Sequence, residues 1–232
     1  GGSLRNAIPR ESVATITIAP AALTAFTTAF NTVKEQITAE HASTDPELRI
    51  ELATAAAPAQ VMAAADQANF LRAVQACPNG IYRMSPDVEG LTQTSNNIAR
   101  IELKDGNYTV MCLTRSSVDS EKFDEADAIR AAFELIGATV TYAGAYPGWT
   151  PRPDGAIVKL MSGLYRERFK EEAHVNACHA GLECGILGTN YPEMEMISFG
   201  PNIKGAHSPD ERVQISSVQK YWGFLLETLE RI

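Results

Sequence analysis

VEGLTQTSNNIARIELKDGNYTVMCLTR, residues 88–115, is the stretch on which the architecture turns. Two runs rich in Thr, Ile, Val and Tyr, Val88–Leu103 and Tyr108–Arg115, flank Lys104-Asp105-Gly106-Asn107. Asp-Gly between β-rich runs is the strongest short-range hairpin signal, because the tightest turn needs positive φ at both central residues. Helical patterns stand on either side of the pair. Ala57–Gln75 is Ala-rich with apolar residues at 61, 62, 70, 71 and 74, and Pro78-Asn79-Gly80 stops it. Asp119–Gly137 places Ala126, Ile129, Ala132, Phe133 and Ile136 on one helical face. Ala138–Tyr142 then reads as a further strand.

Further out, Ser12–Ile18 (SVATITI) alternates and is β-branched, which predicts a strand. Pro20 opens a helix at a position proline favours, with Leu23, Phe26, Phe30, Val33 and Ile37 on one face. That helix is expected to end near Ala42, and Glu47–Ala55 alternates as a second strand. The order is strand, helix, strand, helix, strand, strand, helix, strand. It predicts an α+β fold: an antiparallel sheet with helices on one face, ferredoxin-like, as a single unit or as two similar halves.

Composition shifts at GAYPGWTPRPDG (144–155), where three prolines and three glycines fall in twelve residues. A boundary near 145 divides the chain into 1–145 and 146–232. The second part is expected to run helix (156–170), short strand (174–177), a Gly-punctuated segment (181–188), buried strand (194–199) and helix (216–232). The last helix should turn Val218, Tyr221, Trp222, Leu225, Leu226 and Leu229 inward.

The 232 residues are 45% hydrophobic and 21% charged, with net charge -8, the balance of a soluble globular protein. No basic stripe exists to neutralise phosphates, so a nucleic-acid partner is not expected. No apolar run reaches the length of a membrane span, and no leader is visible at the start. The four cysteines follow no disulfide-scaffold spacing and are expected to be reduced, in a cytoplasmic protein. Cys178 and Cys184 are spaced poorly for zinc. The chain opens without Met, on Gly1-Gly2-Ser3, and reads as part of a longer polypeptide.

Chemistry-bearing candidates are few. GPNIKGAHSPDE (200–211) holds His207 between an apolar run and the last helix. His207 is either a metal ligand or a loop histidine beside a capping box, Ser208-x-x-Glu211. Arg115, at a strand end, can grip a carboxylate in bidentate fashion or form an ion pair with Asp119 or a nearby Glu. Gly181 and Gly185 either let backbone N–H groups approach a ligand or form a plain turn. Asn6 is a turn residue with nothing intrinsic to mark it. His41 reads as solvated. No catalytic nucleophile, phosphate-binding or dinucleotide-binding signature is present.

Seven stretches taken together carry a resemblance: GGSLRNAIPRE (1–11), PNGIYRMS (78–85), RSSVDS (115–120), GAYPGW (144–149), HAGLECG (179–185), YPEMEMISFGP (191–201) and GAHSPDE (205–211). In this order they resemble the Xaa-His dipeptidases, the carnosinase-like aminoacyl-histidine dipeptidases of the di-zinc aminoacylase/carboxypeptidase superfamily. The resemblance implies a lid or dimerisation domain over 1–145 and the C-terminal α/β part of a zinc-peptidase catalytic domain over 146–232. It implies two zincs per complete site, with most ligands and the general base upstream of Gly1, so no catalytic residue is expected in this chain and the chain alone is expected to be inactive. By the same resemblance His207 is a metal ligand, Arg115 binds the substrate's terminal carboxylate, Asn6 contacts substrate, and Gly181 lines its pocket. A short peptide is the implied substrate, and the lid implies a homodimer. The alternative is a non-catalytic dimerisation or interaction module.

Overall fold

Asp105 and Gly106 both take positive φ, 52° and 76°, the mirror-image turn that Asp-Gly favours. The computed structural model, which describes residues 1–177, 179, 182–206 and 210–232, reverses the chain there. β2 (Thr92–Lys104) pairs antiparallel with β3 (Asn107–Ser116). The register starts at Lys104↔Asn107, slips between Ile98 and Arg100, and ends at Thr94↔Ser116. β1 (Gly80–Met84) pairs with the other edge of β2, giving a three-stranded sheet of order β1-β2-β3. Gly1 and Gly2 extend that same edge: the Gly1 amino group donates to the Ile101 carbonyl at 2.7 Å, and Gly2 bridges Arg100.

Two helices, α2 (Ala64–Ala76) and α3 (Asp119–Glu134), cover one face of the sheet. Their core is Ala73, Cys77, Ile129 and Phe133, packed against Ile98, Val110 and Cys112 of the sheet and against Ala138 and Val140. The opposite face carries residues 95, 97, 113 and 115, and among the described residues no helix is packed across it.

The α+β class stands, but the sheet is smaller than the alternation predicts. Residues 12–18, 47–55 and 138–142 join no ladder. α1 (Leu23–Glu40), which follows the 3-10 turn Pro20–Ala22, buries none of its residues. Alternating β-branched residues favour an extended chain, but a strand is completed only by hydrogen bonds to a neighbour. None is in place beside these three segments among the described residues. Among the described residues the sheet has three strands, fewer than the ferredoxin-like layout expected.

The second part packs α4 (Ala156–Phe169) on α6 (Ile215–Arg231) through Met161, Leu164 and Phe224, with Tyr165, Phe169 and Ile197 around them. α5 (Glu183–Asn190) lies between them in sequence. The segments 174–177 and 194–199 are not strands. β4 (Ile203–Lys204) and β5 (Arg212–Val213) form a two-residue ribbon instead. α6 turns Phe224 and Thr228 inward with Tyr221 and Leu225 half-buried, and leaves Val218, Trp222, Leu226 and Leu229 of the residues expected inward exposed. No helix is long and apolar enough to cross a membrane among the described residues.

Candidate functional site

Hairpin register decides which side chains share the face opposite α2 and α3. A count from the Asp-Gly turn with unbroken pairing sets Arg115 opposite Asn96. The irregularity at Ala99 shifts the register by one, and Arg115 pairs with Ser95. A one-residue slip moves every later side chain to the other face, so Ser95 and Asn97 stand beside Arg115 and Leu113.

Three chain segments meet on this face. The Ser95 hydroxyl lies 2.7 Å from Nε2 of His179. Asn97 donates from Nδ2 to the carbonyls of Arg5 (3.1 Å) and Ala7 (2.9 Å), clasping the turn that carries Asn6. Arg115 itself has a buried Nε with no hydrogen-bond partner among the described residues. Burial pushes the His179 ring below its ordinary pKa, and the Arg115 charge lowers it further. At neutral pH the ring is therefore uncharged, and its proton sits on one nitrogen. A neutral imidazole, a hydroxyl and a guanidinium with unspent donors form an anion-binding set suited to a carboxylate.

The ion pair between Arg115 and Asp119 does not form. Asp119 accepts from the Lys122 ammonium at 2.5 Å and from the Gly148 N–H at 2.9 Å. Burial raises its carboxyl pKa, but Lys122 and Gly148 more than offset this and hold it below the usual range. Lys122 also donates to the Tyr146 carbonyl at 2.5 Å. The start of α3 thereby anchors the Pro- and Gly-rich crossing segment. Glu121, the nearest glutamate in sequence, pairs with Arg83.

Glycine in HAGLECG and GAYPGW serves close packing. A Cβ on Gly185 would stand 2.5 Å from the Pro147 carbonyl oxygen, and one on Gly148 would stand 2.5 Å from that of Ser117. Backbone therefore meets backbone where the two motifs touch.

Of the four residues expected in the site, Asn6 and Arg115 are brought to one face. Gly181 and His207 lie outside the described residues, as does Ser208 of the capping-box reading. α6 starts at Ile215 after Gln214, too late for Glu211 to sit in its first turn. The β4–β5 ribbon pairs Ile203 with Val213 and Lys204 with Arg212. Sequence reasoning missed Ser95, Asn97 and the contact made by His179. The signal for His179 was its place at the head of HAGLECG. Among the described residues no group of three or more His, Cys, Asp or Glu could hold a metal ion.

Comparison with known proteins adds the context. The family model described as Peptidase family M20/M25/M40 matches residues 10–231. The chain is 38% identical over 232 residues to the cytosol non-specific dipeptidase of Escherichia coli (strain K12), covering 100% of this chain and 48% of that protein. It superposes on the crystal structure of aminoacylhistidine dipeptidase from Vibrio alginolyticus with a TM-score of 0.86 and 40% identity, over 100% of this chain and 47% of that one. The chain thus spans about half the length of the relatives it matches.

Proposed function

The chain belongs to peptidase family M20/M25/M40, and on that premise we propose that it supplies the substrate-gripping face of a metal-dependent dipeptidase acting on Xaa-His dipeptides. Arg115 binds the terminal carboxylate through its unspent donors. His179, held by Ser95, presents a neutral ring beside it, and the Asn6 turn closes one side. Gly181 lines the pocket and His207 holds one metal of the site. The two relatives, a cytosol non-specific dipeptidase and an aminoacylhistidine dipeptidase, support a dipeptide substrate and a cytoplasmic setting.

Zinc is the metal the resemblance implies, and such a metal supplies hydroxide near neutral pH by acidifying bound water. The described residues do not by themselves compose such a site. Their part is to bind and orient the substrate.

The observation that carries this reading is the buried, unpartnered Nε of Arg115 beside His179. Substituting Arg115→Ala in the active polypeptide is expected to lower kcat/KM by about 30- to 150-fold, or roughly 2–3 kcal/mol, for a lost charge-assisted contact. The penalty should vanish for a dipeptide whose C-terminus is amidated, because that substrate offers Arg115 no charge. Equal loss on acid and amide would remove Arg115 from carboxylate binding.

A further inference from the structure

β3 is a ten-residue strand with only one partner. β2 occupies one edge, and no described residue pairs with the other. Across a groove of about 760 Å³ from that edge runs the segment 137–146. In this segment Ala138 and Val140 pack on the core while Thr139 and Thr141 are exposed, the period-two burial of a strand. The floor between them is apolar, with Phe123, Ala126, Ile129 and Phe133 of α3. Two strand-like walls over an apolar helical floor, with no hydrogen bond joining them, form a seat for one more strand.

The size of the covering partner follows from surface area. The accessible surface is 16887 Å² for a chain of 25.1 kDa. A compact monomer of that mass exposes about 10,300 Å². The excess, about 6,600 Å², is several times the roughly 800 Å² each partner buries in a standard interface. A second copy docked through one such interface would leave most of it uncovered. A covering polypeptide of mass similar to this chain fits the excess, and the two relatives are each about twice the length this chain spans.

We propose that the groove between β3 and residues 137–146 receives one extended β-strand, supplied by the half of the dipeptidase polypeptide that this chain does not span. The assignment of that half rests on the dipeptidase reading above. The strand presents apolar residues to α3 on alternate positions. Its other face lies in the plane of Leu113 and Arg115, so it lines the substrate-binding face and completes it.

The test is residue-resolved amide exchange on this chain, alone and mixed with the separately expressed half of the Escherichia coli relative to which this chain does not align. Alone, alternate amides of 107–114 and those of 138–142 should exchange quickly, while the β3 amides bonded to β2 are protected. Mixing should slow the fast set by about 100-fold or more. Ala126→Glu, which puts a charge on the groove floor, should abolish that slowing without changing protection of the β2–β3 ladder. Protection already present in the chain alone overturns the proposal: independent of concentration, it means one of the chain's own segments fills the groove, and rising with concentration, it means a second copy does. A complex that hydrolyses Xaa-His dipeptides while the β3 edge stays fast also overturns it and leaves the dipeptidase reading intact. Protection without hydrolysis upholds the strand and counts against that reading.

Discussion

Glu125 has no exposed surface, and neither of its carboxylate oxygens has a hydrogen-bond partner among the described residues. Burial first, and then the nearby Cys112, push its carboxyl from 4.5 up to about 7. The fold therefore favours the protonated acid. The sign follows: unfolded Glu125 loses its proton near 4.5, so its burial costs nothing below that pH and costs progressively more as pH rises through about 7. The penalty above neutrality is on the order of 3 kcal/mol. Glu125→Gln should remove the loss of stability that Glu125 causes between pH 5 and pH 8, so that the urea midpoint at pH 8 rises relative to that at pH 5 when compared with the parent chain; a difference unchanged from the parent chain would place the titration elsewhere. His179 runs in the opposite pH direction. Its lowered pKa means stability is present above about 6.5 and is lost as pH falls and the ring gains charge beside Arg115. Arg115 was legible as a site candidate because a guanidinium at a strand end stands out in sequence. Ser95 was not, because the bulge that brings it opposite Arg115 leaves no mark in the residue types. Glu125 was not either, since a glutamate inside an otherwise amphipathic helix reads as solvated.

Elements were legible where their partners are local in sequence. The β2–β3 hairpin formed where the Asp-Gly turn placed it, and α3 follows within three residues of β3. The alternating runs at 12–18 and 47–55 carry an equally strong pattern and form no strand, because the pattern specifies a face to be buried and says nothing about what lies beside it. Contacts between motifs far apart in sequence were the least visible. α5 and the crossing segment touch through Gly185 and Pro147, which neither motif announces. Gly185→Ala forces a Cβ to within 2.5 Å of a backbone oxygen, and the neighbour is main chain that cannot rotate aside. A cost of about 1–3 kcal/mol is expected. Gly200→Ala is the control, since a Cβ there meets nothing within 4 Å, and its effect should stay within about 0.5 kcal/mol. Equal melting temperatures for the two variants would contradict the close approach.

At the scale of the molecule, apolar surface outruns the core that this chain builds. α6 shows the division. One side carries Phe224, which packs on Met161 and Leu164 and makes ring contacts with Tyr165, Phe169 and Phe199. The other carries Trp222 and Leu229, 57% and 62% exposed. The two sets lie on one broad apolar stripe, with Lys220, Glu227 and Arg231 on the polar side, and the helical period in the sequence showed that α6 is amphipathic without showing which part of the stripe its own chain covers. The inner face is the one that stabilises the chain as it stands. Phe224→Ala is expected to cost about 3–5 kcal/mol by opening a cavity in the α4–α6 core. Leu229→Ala should change the chain's own stability by no more than about 0.5 kcal/mol, because it removes no buried contact. Thermal melts of both variants, each in the isolated chain and in the presence of the other half of a dipeptidase relative, separate the two faces. Phe224→Ala should be destabilising in both settings. Leu229→Ala should become destabilising only when the second polypeptide is present, and a large loss in the isolated chain would mean that the outer face of α6 is already covered by the chain itself.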